Sequence, residues 1–453
     1  MQIHTNYLSG MKALTLISFG QFISILGTGL TQFALILWAW RLTGEATVLT
    51  LLAAATFTPS LVLGPIAGAL IDRWNRKWTM MLSDLAAGFT TLVIFFLYTT
   101  KSLEVWHLYL GGIVTGVFQS FQWPAYSAAI STLVSKDQYG KANGILSLAE
   151  SASGIAAPIL AGALIGIIGI GNMMLIDIAT FIFALATLLV IYIPPPKTSE
   201  KSQESPQSIW KDSVFGFNYI MRRPGLLSIQ LILLGWNMVA NFSNVILSPM
   251  ILARTGGDAA ILGTVLSVSS IGMLLGGLTM SFWGGPKQHI HGVLVGCIFG
   301  SIFGLLVMGL GRSLLIWAIA SFFGLFFSPV INSSNQAIWQ AKVPPAIQGR
   351  VFAARRLIAS LAIPFAFLTS GPIADYIFEP AMRTDSILAK TFGNLVGTGP
   401  GSGMALMMIL AGTLGMTIGL TSYFFPMIRT VELTLPDHDQ VSVQQGYDKV
   451  GND

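Results

Sequence analysis

Charge is scarce in this chain, so an ionisable residue inside an apolar stretch is a candidate for chemistry. Of 453 residues only 9% are Asp, Glu, Lys or Arg, while 53% are hydrophobic. Yet Asp72, Arg73, Arg76 and Lys77 crowd into GALIDRWNRK, with Asp84 just beyond. The carboxylates that fall within apolar runs are Asp84, Glu150, Asp177 and Asp375. At membrane depth a carboxylate must be paired or carry a proton. Glu150, about a third of the way along its run, is the first candidate for moving protons, and Asp177 is the second. A static ion pair of Glu150 with Arg355 or Arg356 is the competing assignment. Asp84 lies within two turns of the charged loop and is expected to join its network. The usual signs of an enzyme are missing. The five histidines have no H-E-x-x-H-like spacing, and the single Cys297 lies in the apolar GVLVGCIFG. There is no phosphate-binding glycine loop and no nucleophile–His–acid set, so neither catalysis nor a metal or cofactor is expected.

The elements that hold these residues follow from composition. The mean hydropathy is +0.71, and a soluble domain would carry roughly a quarter charged residues. Apolar segments recur at about 13–40, 46–70, 79–99, 106–133, 142–169 and 172–194, then at 225–252, 259–284, 291–310, 314–340, 351–378 and 402–428. Each is long enough to cross ~30 Å of hydrocarbon as a helix, which predicts an all-α integral membrane protein with twelve spans. The expected parts are a six-helix bundle over 1–194, a linker over 195–223, a second bundle over 224–430 and a tail over 431–453. The linker opens with PPPKTSEKSQESPQS and continues in an amphipathic stretch at 209–223. Eighteen of the 24 Lys and Arg residues fall on one side of this topology. The positive-inside rule then puts both termini in the cytoplasm. The halves also repeat at an offset of 209, matching Val134 to Val343, Gly140 to Gly349, Lys141 to Arg350 and Gly68 to Gly277. Parallel repeats of this kind are a transporter architecture.

With twelve spans, GALIDRWNRK resembles the loop-2/3 signature of the major facilitator superfamily, filled here by Gly68, Asp72, Arg73, Arg76 and Lys77. The resemblance implies a charge network that holds one transport state and breaks in the other, with Arg355 and Arg356 as partners from the second half. The second-half copy, GLTMSFWGGPK, has Ser281 where Asp72 would stand. A weaker resemblance, to the fifth-helix pattern of antiporters in that superfamily, is carried by Gly144, Ser153, Ala157, Pro158 and Gly162. Small residues there permit close helix contact and the proline bends the helix. Three further stretches, FGQFISILGTGLTQFALILWAWRLTG, PPAIQGRVFAARRLIASLAIPFAFLTSGPIAD and GTGPGSGMAL, are similar to the bacterial branch of macrolide-efflux and enterobactin-exporter proteins.

In that fold spans 1, 4, 7 and 10 line the substrate cavity, and here they carry polar residues at helical spacing. Span 1 has Gln21, Thr28, Thr31 and Gln32; span 4 has Gln119, Gln122, Trp123 and Tyr126. Span 7 has Trp236, Asn237, Asn241 and Asn244; span 10 has Asn332, Asn335, Gln336 and Trp339. Offsets of three, four and seven put each set on one helix face. Such a cavity is neutral and amphipathic, which fits a lipophilic or uncharged cargo and disfavours a polyanion. The expected function is export of small amphipathic compounds from the cytoplasmic membrane by proton antiport, by a monomer in the lipid bilayer with no nucleic-acid partner. A lysophospholipid or glycolipid flippase and a non-transporting membrane sensor are the alternatives. The Gly-rich loop at 379–401 could serve as a lid or meet an outside partner.

Overall fold

The structure, a computed structural model, describes residues 10–71, 74–135, 138–191, 215–383, 386–435 and 437. Among the described residues every regular element is helical. The first six are α1 (Gly10–Thr43), α2 (Ala46–Ile71), α3 (Arg76–Thr99), α4 (Val105–Leu133), α5 (Tyr139–Val190) and the short α6 (215–221). Then come α7 (Pro224–Thr255), α8 (Ala259–Trp283), α9 (His289–Phe299), the π-helical turn Gly300–Leu306, α10 (Val307–Leu310) and α11 (Leu314–Lys342). The chain ends through α12 (Pro345–Ser360), α13 (Ala362–Ile373), a second π-helical turn (Ala374–Phe378), α14 (Glu379–Arg383), α15 (Ile387–Val396), α16 (Ser402–Phe424), α17 (Pro426–Arg429) and α18 (Val431–Thr434).

Among the described residues, ten helical stretches are long and apolar enough to cross a membrane. The 52-residue α5 holds two crossings, because Gly169 leaves the helix with φ 75 and ψ 169. Only glycine adopts that backbone without a Cβ penalty, so the chain turns back there. The 29-residue α4 is about 43 Å long and spans as well, its mean hydropathy lowered by its glutamines. The protein is therefore an all-helical, multi-pass membrane protein of twelve spans.

The chain packs as two compact units. The first comprises Met1–Glu200 with Ser248–Ser267 and Ser370–Asp375; the second comprises Lys201–Leu247, Val268–Thr369 and Tyr376–Asp453. The first unit's core gathers Leu14, Ile17, Ile71, Met80, Tyr126 and Leu188. Its α3 is capped by Asn75, whose Oδ1 accepts from the backbone of Lys77 at 3.0 Å and Trp78 at 3.4 Å. The Cα of Gly27 on α1 meets the later part of α5 so closely that a Cβ would collide with the Thr180 hydroxyl and lie 3.1 Å from the Cα of Asp177. Asp375 caps α2 in the same unit, its two oxygens accepting from the backbone of Ala46 at 3.0 Å and Thr47 at 2.7 Å.

The second unit has one core around Leu233, Trp236, Ile290 and Cys297, and another around Ile220, Trp339 and Val351. The second of these seats α6: the expected amphipathic stretch is described from 215 onward and buries Ile220 and Gly216 against the start of α12. Lys342, with a side chain only 5% exposed, ties down the end of the described chain. Its ammonium donates to the carbonyls of Glu432 and Leu435 and reaches Asp437 at 2.7 Å. The carboxylate of Glu432 in turn accepts from the backbone of Ile290 at 2.7 Å, at the start of α9. In the 379–401 loop, Glu379 is buried and caps α16 by accepting from the backbone of Gly401 at 3.1 Å and Met404 at 2.9 Å.

Candidate functional site

The first unit contains two buried carboxylates, each held by uncharged groups. Asp84, 4% exposed, projects from α3 toward α1 and α4. Gln122 donates to its Oδ1 at 2.6 Å and Gln21 donates to its Oδ2 at 3.0 Å. Gln122 also donates to the Oε1 of Gln21 at 3.3 Å, closing a triangle of side chains from three helices. One turn away, Tyr126 and Ser18 share a hydrogen bond of 2.6 Å and extend the same polar seam between α4 and α1. Among the described residues no Lys or Arg reaches Asp84. The partners the described residues give it are the two amides.

The second carboxylate is Asp177, 3% exposed, on the later part of α5. Thr28 of α1 donates to its Oδ1 at 3.1 Å and Thr91 of α3 donates to its Oδ2 at 3.0 Å. Thr31 places a third buried hydroxyl beside it. The two carboxylate sites form a ladder. Gln21 to Thr28 on α1, and Asp84 to Thr91 on α3, are each a step of seven residues, about 10 Å along one helix face. The ring of Phe181 packs against Gly88 on α3, between these rungs.

Asp72 and Arg73 lie outside the described residues, as do the side-chain surroundings of Gly68. The rest of the loop signature is anchored inside the first unit. Arg76 donates to the carbonyl of Ala128 at 2.8 Å, and Lys77 donates to the carbonyls of Leu189 and Ile191 at 3.1 and 2.7 Å. Lys77 so caps the end of α5, where a cation suits the helix dipole. Glu150 is exposed on the earlier part of α5 and makes no hydrogen bond or ion pair among the described residues. The antiporter-like residues act by size. Ser153 donates to the carbonyl of Phe22 at 3.3 Å, a Cβ on Gly29 would come 2.7 Å from that of Ala157, and a Cβ on Gly162 would lie 2.6 Å from the carbonyl of Ala259. Pro158 lies inside the helix, and Gly144 faces open space.

The remaining cavity candidates divide by unit. Gln32 and Gln119 are exposed, whereas Gln122 and Tyr126 turn into the first unit's interior. In the second unit Trp236, Asn237 and Asn241 line a cavity of about 210 Å³. Gln336 instead accepts from Arg355 at 2.7 Å, and that guanidinium lies 5.3 Å from the ring centres of both Trp339 and Phe352. Arg356 is exposed. Asn335 is buried, and the exposed Asn332 donates to Ser328 at 3.3 Å. Sequence reasoning missed Thr91 and the glycines Gly300, Gly304 and Gly324 that bound the cavity. The signal for Thr91 was its seven-residue step from Asp84. Glycines in an apolar run carry no comparable signal, because the space beside them depends on what packs there.

Comparison with known proteins gives the identity of the fold. Residues 17–367 match the Major Facilitator Superfamily. Macrolide efflux protein A of Streptococcus pyogenes is 28% identical over 366 residues, covering 79% of this chain and 88% of that protein. Enterobactin exporter EntS of Citrobacter koseri is 26% identical over 340 residues, covering 73% of this chain and 78% of that protein. Among solved structures, the nucleoside transporter NupG superposes with a TM-score of 0.65 at 14% identity, covering 91% of this chain and 98% of that one. An inward-facing, unoccupied bacterial homologue of the human lysosomal transporter Spinster gives 0.62 at 16% identity, covering 90% and 96%. At such identities the structural likeness speaks for the fold alone. The chain is a membrane transporter of small molecules, not an enzyme, and it belongs to the major facilitator superfamily.

Proposed function

We propose that this protein exports small amphipathic compounds across the cytoplasmic membrane by alternating access, driven by protons moving inward. The observation that carries the export reading is the likeness, over about four-fifths of the chain, to a macrolide efflux protein. Neutral polar and aromatic residues on the predicted cavity faces agree with such a cargo. Both termini face the cytoplasm in this reading, as the 18 basic residues on that side require.

The proton belongs on a carboxylate of the first unit. An ionised carboxylate in a membrane interior, held by neutral donors with no cation beside it, carries a large desolvation cost that a proton removes. Asp84 and Asp177 meet that description, and Glu150 meets it only where the cavity water reaches α5. Asp84 is the first choice because both helices that contact it, α1 and α4, also carry predicted cavity residues. Gly68, Asp72, Arg73, Arg76 and Lys77 serve as the gate in the same reading, with Asp72→Asn slowing transport while substrate still binds.

The test is efflux of erythromycin and neutral lipophilic dyes from proteoliposomes, with and without an imposed pH gradient. Wild type, Asp84→Asn, Asp177→Asn and Glu150→Gln would be compared. Gradient-driven efflux that Asp84→Asn alone uncouples supports the assignment. Uncoupling by Glu150→Gln alone moves the proton to the exposed site. Absence of efflux for every compound overturns the export reading, and labelled lysolipids are then tried in the same vesicles.

A further inference from the structure

We infer that the second unit contains a side pocket that binds one uncharged, ring-sized group bearing a single hydroxyl, ether or carbonyl oxygen. The inference deepens the export reading and rests on it for the ligand's role in transport, though not for binding itself. The cavity lies wholly among helices of this unit and measures about 210 Å³. That equals roughly seven waters at ~30 Å³ each, the space of a substituted ring.

Its walls explain why it stays open. Three glycines, Gly300, Gly304 and Gly324, face it from the π-helical turn and from α11. A Cβ on Gly300 would meet nothing closer than Phe327 at 3.6 Å and Trp236 at 3.8 Å, and a Cβ on Gly324 would meet only the Cα of Gly304 at 3.6 Å. A side chain at Gly300 or Gly324 would therefore start without collision and would take up part of the space. A bundle core left unfilled forfeits dispersion contacts along its whole lining. The wall here is also π-helical, a geometry that recurs at functional sites.

The chemistry of the lining selects the ligand. No Asp, Glu, Lys or Arg lines the cavity, so a charged group would enter unpaired. Trp236 is only 9% exposed, and its indole N–H is buried with no acceptor, an unmet donor that a ligand oxygen would satisfy. Asn241 spends one amide hydrogen on the carbonyl of Asn237 at 2.8 Å and keeps the other and its Oδ1 for a ligand. Met308 and Met408 also line it, and methionine thioethers pack well against ring edges of varied shape.

The experiment uses the full chain in nanodiscs and a photoreactive probe of that class, trifluoromethyl-diazirinyl benzyl alcohol, with adducts mapped by mass spectrometry. Saturable labelling of α7 between 236 and 247 and of residues 300–328, competed by excess trifluoromethyl-benzyl alcohol, is expected. Gly300→Leu should weaken that saturation about tenfold. Leu315→Ala, on the exposed face of α11, is the control and leaves it unchanged. Should Gly300→Leu fail to fold, Asn241→Leu fills the same space from α7. Labelling that does not saturate, or that both filling variants leave intact, overturns the pocket. Saturable labelling without export of any compound would leave the pocket standing and remove the export reading.

Discussion

The two units bury their polar groups in different currencies. In the first, α1, α3, α4 and the later part of α5 enclose Asp84 and Asp177, each held by neutral amides or hydroxyls that donate to both carboxylate oxygens without supplying a countercharge. In the second, amides and an indole line an open cavity without carboxylates, and the half-buried Arg355 is met by Gln336 and two aromatic faces. The difference suits a division of labour within one chain. A buried acid held by neutral donors changes its interactions when a proton arrives, while an uncharged cavity responds to shape and to single hydrogen bonds. A transporter that couples a proton to an amphipathic cargo needs both.

The largest expected effect falls on the charge side of this contrast. Asp84→Asn keeps the side-chain volume and removes the proton, so gradient-driven efflux should fall by roughly tenfold or more, a rate change worth at least ~1.4 kcal/mol. Thermal stability in detergent would stay near wild type; normal efflux by a folded variant would erase the contrast. Next, Gly27→Val should destabilise the first unit by about 1–3 kcal/mol through overpacking against Thr180, read as a lower unfolding temperature. If the variant melts with wild type, the closeness of α1 and α5 is not what positions Asp177.

Asp177→Ala deprives Thr28 and Thr91 of their acceptor. Membrane hydrogen bonds average about 0.6 kcal/mol, so the loss should come to about 1 kcal/mol, with Asp177→Asn recovering part of it. Equal stability of the two variants would show that the hydroxyls do not depend on the carboxylate. The smallest effect sharpens the neutral side: Asn241→Ala should alter relative efflux rates among dyes by a few-fold, about 1 kcal/mol or less, without changing the pH dependence. A shift in pH dependence would place charge chemistry in the second unit and blur the contrast.

How much of this was legible in the residues differs from site to site. Asp177 could be picked out as a buried acid from its apolar run, but its partners lie 149 and 86 positions away in the chain and no local pattern joins them. Gln21, Gln122 and Asp84 were each visible, and the first two read as cavity lining and the third as loop charge. Their meeting depends on which face of each helix turns inward, and an amphipathic face with glutamines can turn either way. The antiporter-like residues were legible as small, but their neighbours, Phe22, Gly29 and Ala259, came only from packing.

The sequence by itself determined the membrane class and the twelve spans. Hydrocarbon thickness fixes the length of an apolar helix, and that length can be counted in residues. It also determined the family, through a loop pattern and stretches of local similarity. Tertiary structure alone decided which polar residues meet. Hydrogen-bonded triangles such as Gln21–Asp84–Gln122 and the space beside Gly300 arise from the rotation and closeness of helices, and those are set by side-chain interlocking over distances no sequence window covers.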